Sequence, residues 1–235
     1  MKPLTRLLTT TGIFAIAMGF LESAVVVYLR AIVYPAGFAF PLKEIPGTLG
    51  LTEILREAAT VVMLLAIAWI SVPGMLRRFA VFIYAFAVWD IFYYVFLYAL
   101  LGWPPSLFTW DILFLIPVPW TGPVLAPVIN SLTMILLAFL ILRFKGHRED
   151  FRLNSTEWTL LILGSVVTIF VYCESFLKYL HSAYNFSEFF RHGLVRKNGI
   201  YDLLFIPSDF NWKLFVVSEI LFLLAIIGII RRANR

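Results

Sequence analysis

Six carboxylic acids fall inside stretches of this 235-residue chain that are otherwise apolar: Glu22, Glu53, Glu57, Asp90, Glu174 and Glu219. A seventh, Asp111, lies in a Pro- and Trp-rich passage. Three bases, Arg30, Arg56 and Lys178, share those stretches. Ionisable groups in such surroundings are costly and are the first candidates for function. An unpaired carboxylate cannot stay ionised in a low dielectric; it is paired, protonated or bound to a cation. The acids outnumber the bases, so protons or a metal cation must meet the excess.

Helical spacing sorts these groups into neighbours. Glu22 and Arg30 share a face two turns apart, and Arg56 sits between Glu53 and Glu57 at one helix end. Glu174 and Lys178 are four apart with the acid first, which is the favourable order for an interfacial ion pair. Tyr94 is one turn beyond Asp90 and gives that acid a phenol neighbour. Glu219 reads as a structural tie between helices.

Three chemistries follow. Asp90 and Asp111 both stand in a Trp-Asp-Ile context and could share one proton, as paired aspartates do in hydrolysis. Glu22, Glu53, Glu57 and Asp90 could hold a divalent cation that polarises a phosphate or carbonyl, with Glu53 and Glu57 as its nearest ligand pair. Arg30 and Arg56 could orient the acids or bind an anionic head group. Asp111 has a competing role as the cap of a short helix after Thr109-Trp110. His147, His181 and His192 all fall in expected loops, so neither haem, a His-rich zinc site nor a serine triad is expected.

Positioning these groups requires a membrane bundle. The chain is 61% hydrophobic and 14% charged, whereas soluble domains carry about 25% charged residues. Apolar runs of about 20 residues predict six transmembrane helices in one polytopic domain, over roughly 11–33, 50–72, 79–101, 123–143, 156–180 and 212–230. The stretch after MKPLTRLL continues apolar to Pro35 with no small-residue cleavage site, so the first span is expected to be retained. Basic residues cluster before span one (Lys2, Arg6), between spans two and three (Arg77, Arg78), between four and five (Arg143, Lys145, Arg148, Arg152) and after span six (Arg231, Arg232, Arg235). Six spans place all four clusters on one side, which makes that side, with both termini, cytoplasmic. The net charge of +5 is therefore topogenic and does not imply nucleic acid.

The outer side then carries loops 34–49, 102–122 and 181–211. The first and second are Pro-rich and cannot be continuous helix. Between its prolines the second can form one or two helical turns of WDILFLI, as a re-entrant or interfacial segment. The third contains an amphipathic piece, FSEFFRHGL, suited to the membrane surface. Asn154 with Glu157 predicts a capping box for span five, Ser208 or Asp209 a cap for span six, and Gly102 the end of span three. The lone cysteine, Cys173, excludes an internal disulfide.

The expectation is an all-α protein of the plasma or inner membrane. It acts as a membrane-embedded enzyme at the outer leaflet through Glu22, Asp90 and Asp111. Substrate contacts come from Arg30, Arg56 and Tyr94, and Glu53 and Glu57 are available to a divalent cation. A proton- or cation-coupled small-solute carrier, a substrate-capturing membrane subunit and an accessory subunit of a membrane complex whose acids are structural use the same residues differently. Partners are the lipid bilayer and a small or lipid-like ligand, for which the aromatic-rich third span offers a stacking wall.

Overall fold

The computed structural model describes residues 2–41, 43, 47–183, 205–207 and 209–233. The expected amphipathic piece of loop 181–211 and the Ser208 cap lie outside the described residues, as does Arg235. Six helices are long and apolar enough to cross a membrane: α1 (Lys2–Val33), α2 (Gly47–Ser71), α3 (Met75–Leu101), α4 (Leu125–His147), α5 (Ser155–Ala183) and α6 (Trp212–Ala233). The protein is a multi-pass membrane protein, and each helix contains most of a predicted span. Large apolar side chains such as Ile13, Leu55, Trp69, Ile162 and Val216 are exposed on its outside, as lipid requires.

Between α3 and α4 the expected helical turns are absent. The passage is a β-hairpin instead: β1 (Trp110–Phe114) pairs antiparallel with β2 (Trp120–Pro123), and Asp111 lies opposite Gly122. The prolines explain the outcome. Pro117 and Pro119 fall in the connection, where their missing N–H costs no ladder bond, and Pro123 ends its strand. Asp111 is therefore a strand residue and caps no helix. The register shifts between Ile112 and Phe114, a bulge that turns the strand toward its connection.

Helix α3 is the hub, packed against α1, α2 and α4, while α5 pairs with α6. The α1–α3 contact depends on small residues one turn apart. Ala15 and Ser23 are fully buried. A Cβ on Gly19 would come within 3.1 Å of the Trp89 carbonyl oxygen and the Tyr93 nitrogen. The Ser23 hydroxyl then donates across the interface to the Tyr93 carbonyl at 2.9 Å. Small side chains let membrane helices approach in this way.

Helix ends follow local chemistry. Asn154 and Glu157 form the reciprocal capping box, each side chain accepting the other's backbone N–H at 2.8 Å. Glu157 does more than the motif requires: Arg232 of α6 grips both its oxygens, at 3.0 and 2.8 Å, and ties α5 to α6. Gly102 closes α3 in the left-handed region (φ 62°), its N–H donating to the Tyr98 carbonyl. The first turn of α6 is capped by Asn211, which accepts the Leu214 N–H at 3.2 Å, rather than by Asp209.

Gly19→Leu should lower the melting temperature by several degrees, because overpacking costs about 1–3 kcal/mol and backbone atoms stand in the way of the new side chain. Gly47→Ala, with no atom within 4 Å of the added Cβ, should leave it unchanged. Equal effects in a thermal unfolding assay would contradict close packing of α1 on α3.

Candidate functional site

The C-terminal turns of α1 and α3, the N-terminal turns of α2 and α4 and the hairpin meet at one end of the bundle. Beneath them lies a cavity of about 380 Å³. Glu22 and Arg30 reach it from α1, Glu53, Arg56 and Glu57 from α2, Asp90 and Tyr94 from α3, and Asp111 from β1. All eight residues singled out from the sequence line this one space. With Lys43 at its rim, the cavity is lined by five acids and three bases.

Arg56 is the most heavily engaged cation. It takes both oxygens of Glu53, at 3.0 and 2.5 Å, a fork-to-fork geometry that fixes both groups. Its remaining terminal nitrogen bonds Glu22, joining α2 to α1. Glu57, one turn along from Glu53, does not join them. Its Oε2 instead accepts the Leu115 backbone N–H of the hairpin at 2.9 Å. Glu53 and Glu57 are thus occupied in different directions. Among the described residues, no three His, Cys, Asp or Glu side chains form a group that could hold a metal ion.

Arg30 and Asp111 form the second ion pair, and a looser one. One guanidinium nitrogen stands 3.4 Å from Oδ1, with both residues buried. The guanidinium lies 3.8 Å from the ring centroid of Trp103 and 4.6 Å from that of Phe38, a cation–π setting that fixes its plane. Asp111 Oδ2 is left without a hydrogen bond. The phenols of Tyr94 and Tyr93 act on the same carboxyl from nearby but close no bond to that oxygen. Asp111 lies outside the six spans. Burial pushes its carboxyl up from 3.8 to about 6, against the opposing pull of Arg30.

Asp90 is handled by neutral groups. It is half-buried, and part of its surface faces the cavity. Among the described residues, its hydrogen-bond donor is the Ser131 hydroxyl of α4, at 2.8 Å. It senses the charge of Asp111, but no hydrogen bond joins the two, and each keeps its own partner. Glu219 shows the contrasting, saturated case. Asn130 and Thr133 donate to its two oxygens at 2.5 and 2.7 Å, and Tyr172 donates to Asn130 in turn. Glu219 binds α6 to α4, and Glu174 likewise pairs with Lys178 at 2.7 Å and Asn211 at 3.0 Å.

No known protein family, curated protein or solved structure matches this chain.

Sequence reasoning did not find Ser131, Asn130, Leu115, Trp103 or Tyr172. The first two carry a faint trace, since Asn-Ser is a polar pair opening an otherwise apolar span. Leu115 contributes only a backbone N–H, which no residue type announces.

Asp111 gives a pH test. The unfolded chain releases this proton near pH 3.8 and the folded protein near pH 6. Between those values the folded state holds more protons, so this group's contribution to stability falls as pH rises. Relative to Asp111→Asn, the wild-type melting temperature should decline from pH 3.8 to pH 6 and then stay level. A difference that does not change over that window would show that burial does not hold the proton on Asp111.

Proposed function

We propose that this protein is a membrane-embedded enzyme that moves a proton to or from the polar group of a substrate held in the cavity. Asp90 and Glu57 are the proton-exchanging groups. Arg30 anchors an anionic part of the substrate, and the Glu22–Arg56–Glu53 cluster fixes the wall opposite. The basic ends of the helices, where Arg77 donates to the Lys145 carbonyl and Arg232 to that of Arg152, face the cytoplasm. The hairpin and the cavity beneath it then serve the outer leaflet of a plasma or inner membrane, with the hairpin as an inserted, non-spanning segment.

The observation that carries the proposal is the split among the cavity acids. Glu22, Glu53 and Asp111 are each hydrogen-bonded by an arginine, whereas among the described residues Asp90 and Glu57 are hydrogen-bonded by a hydroxyl and a backbone N–H. Carboxyl groups held by neutral donors beside a cavity are suited to general acid–base work, which contributes about 10²–10⁴-fold to a rate. The opposite end of the cavity favours an enzyme over a carrier. It is walled by Phe79, Ile83, Leu137 and Leu161, which leaves a polar solute no hydrated way onward.

The test compares lipid and small-molecule extracts of membranes expressing wild type, Asp90→Asn or Glu57→Gln by mass spectrometry, alongside the melting temperature of each purified protein. A product that depends on wild type should fall at least about 100-fold with Asp90→Asn. Both variants should stay folded, because each replacement amide keeps an oxygen that can accept the same bond. Unfolding of both variants, or unchanged extracts, would make the acids structural. Flux of an unchanged solute into liposomes would make the protein a carrier.

A further inference from the structure

The cavity has two chemically different halves along one axis. Toward the hairpin it is lined by the charged groups and by Tyr93, Tyr94 and Trp120. Toward the other end it continues between α3, α4, α5 and α6 along Phe79, Ile83, Met134, Leu137, Leu161 and Phe222. Ser165 and Thr168 are the polar interruptions there, and Thr168 Oγ1 is buried without a partner. A small polar molecule would leave the apolar half unfilled, and a hydrocarbon would leave the charged half unmet.

Arg30 indicates what the charged half accepts. A guanidinium carries five N–H donors. Among the described residues, Arg30 makes one hydrogen bond, the 3.4 Å contact to Asp111, although it is only 9% exposed. Arg56, by contrast, has three nitrogens engaged by two carboxylates. Buried donors without acceptors are expensive, and the planar fork of an arginine is matched by the paired oxygens of a carboxylate or phosphate. Trp103 and Phe38 hold that fork in place, which lowers the cost of ordering it on binding.

We infer that the cavity binds a single-chain amphiphile with an oxyanion head, carboxylate or phosphate. Its head is seated on the Arg30 guanidinium, and its chain runs between α3, α4, α5 and α6. A volume of about 380 Å³ lies at the lower end for small-ligand sites and is too small for a two-chain phospholipid. This rests on the proposed enzymatic role and supplies its substrate class: the chain passes Asp90, so the group that exchanges a proton lies inward of the head.

The test uses the full chain in zwitterionic nanodiscs. A fatty acid brominated at its chain end should quench tryptophan fluorescence saturably, since Trp158 packs against Phe79 at the apolar end of the cavity, with ring centroids 5.3 Å apart. Decanoate and decyl phosphate should compete, and the stronger of the two identifies the head. Decanol, decyltrimethylammonium and inorganic phosphate should compete at least tenfold more weakly. Arg30→Gln should weaken binding at least tenfold, and Leu137→Trp should do so by filling the apolar half. If Arg30→Gln does not fold, Arg30→Lys keeps the charge but loses the fork and should still weaken binding. Decanol competing as well as decanoate would overturn the oxyanion head. Inorganic phosphate competing as well as decyl phosphate would overturn the chain. Asp90→Asn removes a negative charge near the head and should bind the probe at least as tightly as wild type. If the product vanishes in Asp90→Asn while no oxyanion amphiphile binds the wild type, the ligand class fails and the proton-transfer role survives. Binding of the probe with no product in any extract would overturn the enzymatic role and leave the ligand class standing.

Discussion

Buried backbone that is not in a helix must still have its polar N–H and C=O groups met by protein or by ordered water. The hairpin between α3 and α4 is this protein's instance, and the rest of the site depends on how it is held. Its strands satisfy one another across the ladder. The Leu115 N–H, in the connection beyond that ladder, is taken by Glu57, and the buried Asp111 carboxyl is faced by Arg30. Aromatic packing completes the seat: Phe114 lies against Phe86 and Trp89, and Trp120 stacks on Tyr172 at a 19° tilt. The groups that clamp the hairpin are therefore the groups that line the cavity. Without the hairpin, Arg30 would lose its carboxylate partner and Glu57 its hydrogen-bond donor.

The buried acids divide by the kind of neighbour that meets them. Arginine-met acids lie on the α1–α2 wall and the hairpin, and their attraction draws separate elements together. Of the acids met by neutral donors, Asp90 and Glu219 face α4, where Asn130, Ser131 and Thr133 serve them, and Glu57 faces the hairpin. Glu219 has a donor on each oxygen and is not among the residues that line the cavity, so it acts as a brace. Asp90 has one donor and an open side. The difference between a brace and the group proposed to exchange protons is thus a matter of unfilled hydrogen-bonding capacity beside a space, not of burial alone.

The parts of this arrangement visible in the sequence are those that local physics determines. Six apolar runs longer than a bilayer is thick, an Asn-x-x-Glu box and a glycine after the third span all carry their structure with them. The convergence of Glu22, Arg56 and Asp90 was also readable, because charges in apolar helices have few places to go but toward one another. The hairpin was not. WDILF is compatible with either helix or strand, and its state is decided by a partner strand across two prolines. The donors to Asp90 and Glu57 were hidden for a related reason. A serine hydroxyl or a leucine N–H becomes specific only when folding aims it. The Glu157–Arg232 tie was invisible likewise, being 75 residues apart in the chain.

The charge balance of the cavity links its two proposed roles. Five acids face three bases, and Arg56 is already consumed by two of the acids. An oxyanion arriving at Arg30 takes that cation's attention from Asp111 and adds a negative charge within reach of Asp90. Like charges held together in a low dielectric favour the protonated form of whichever group can take a proton. Binding an anionic head and loading a carboxyl with a proton are therefore favourably coupled, and by linkage each strengthens the other. On the proposed reading, the excess of acid becomes the means by which ligand arrival readies a proton for transfer.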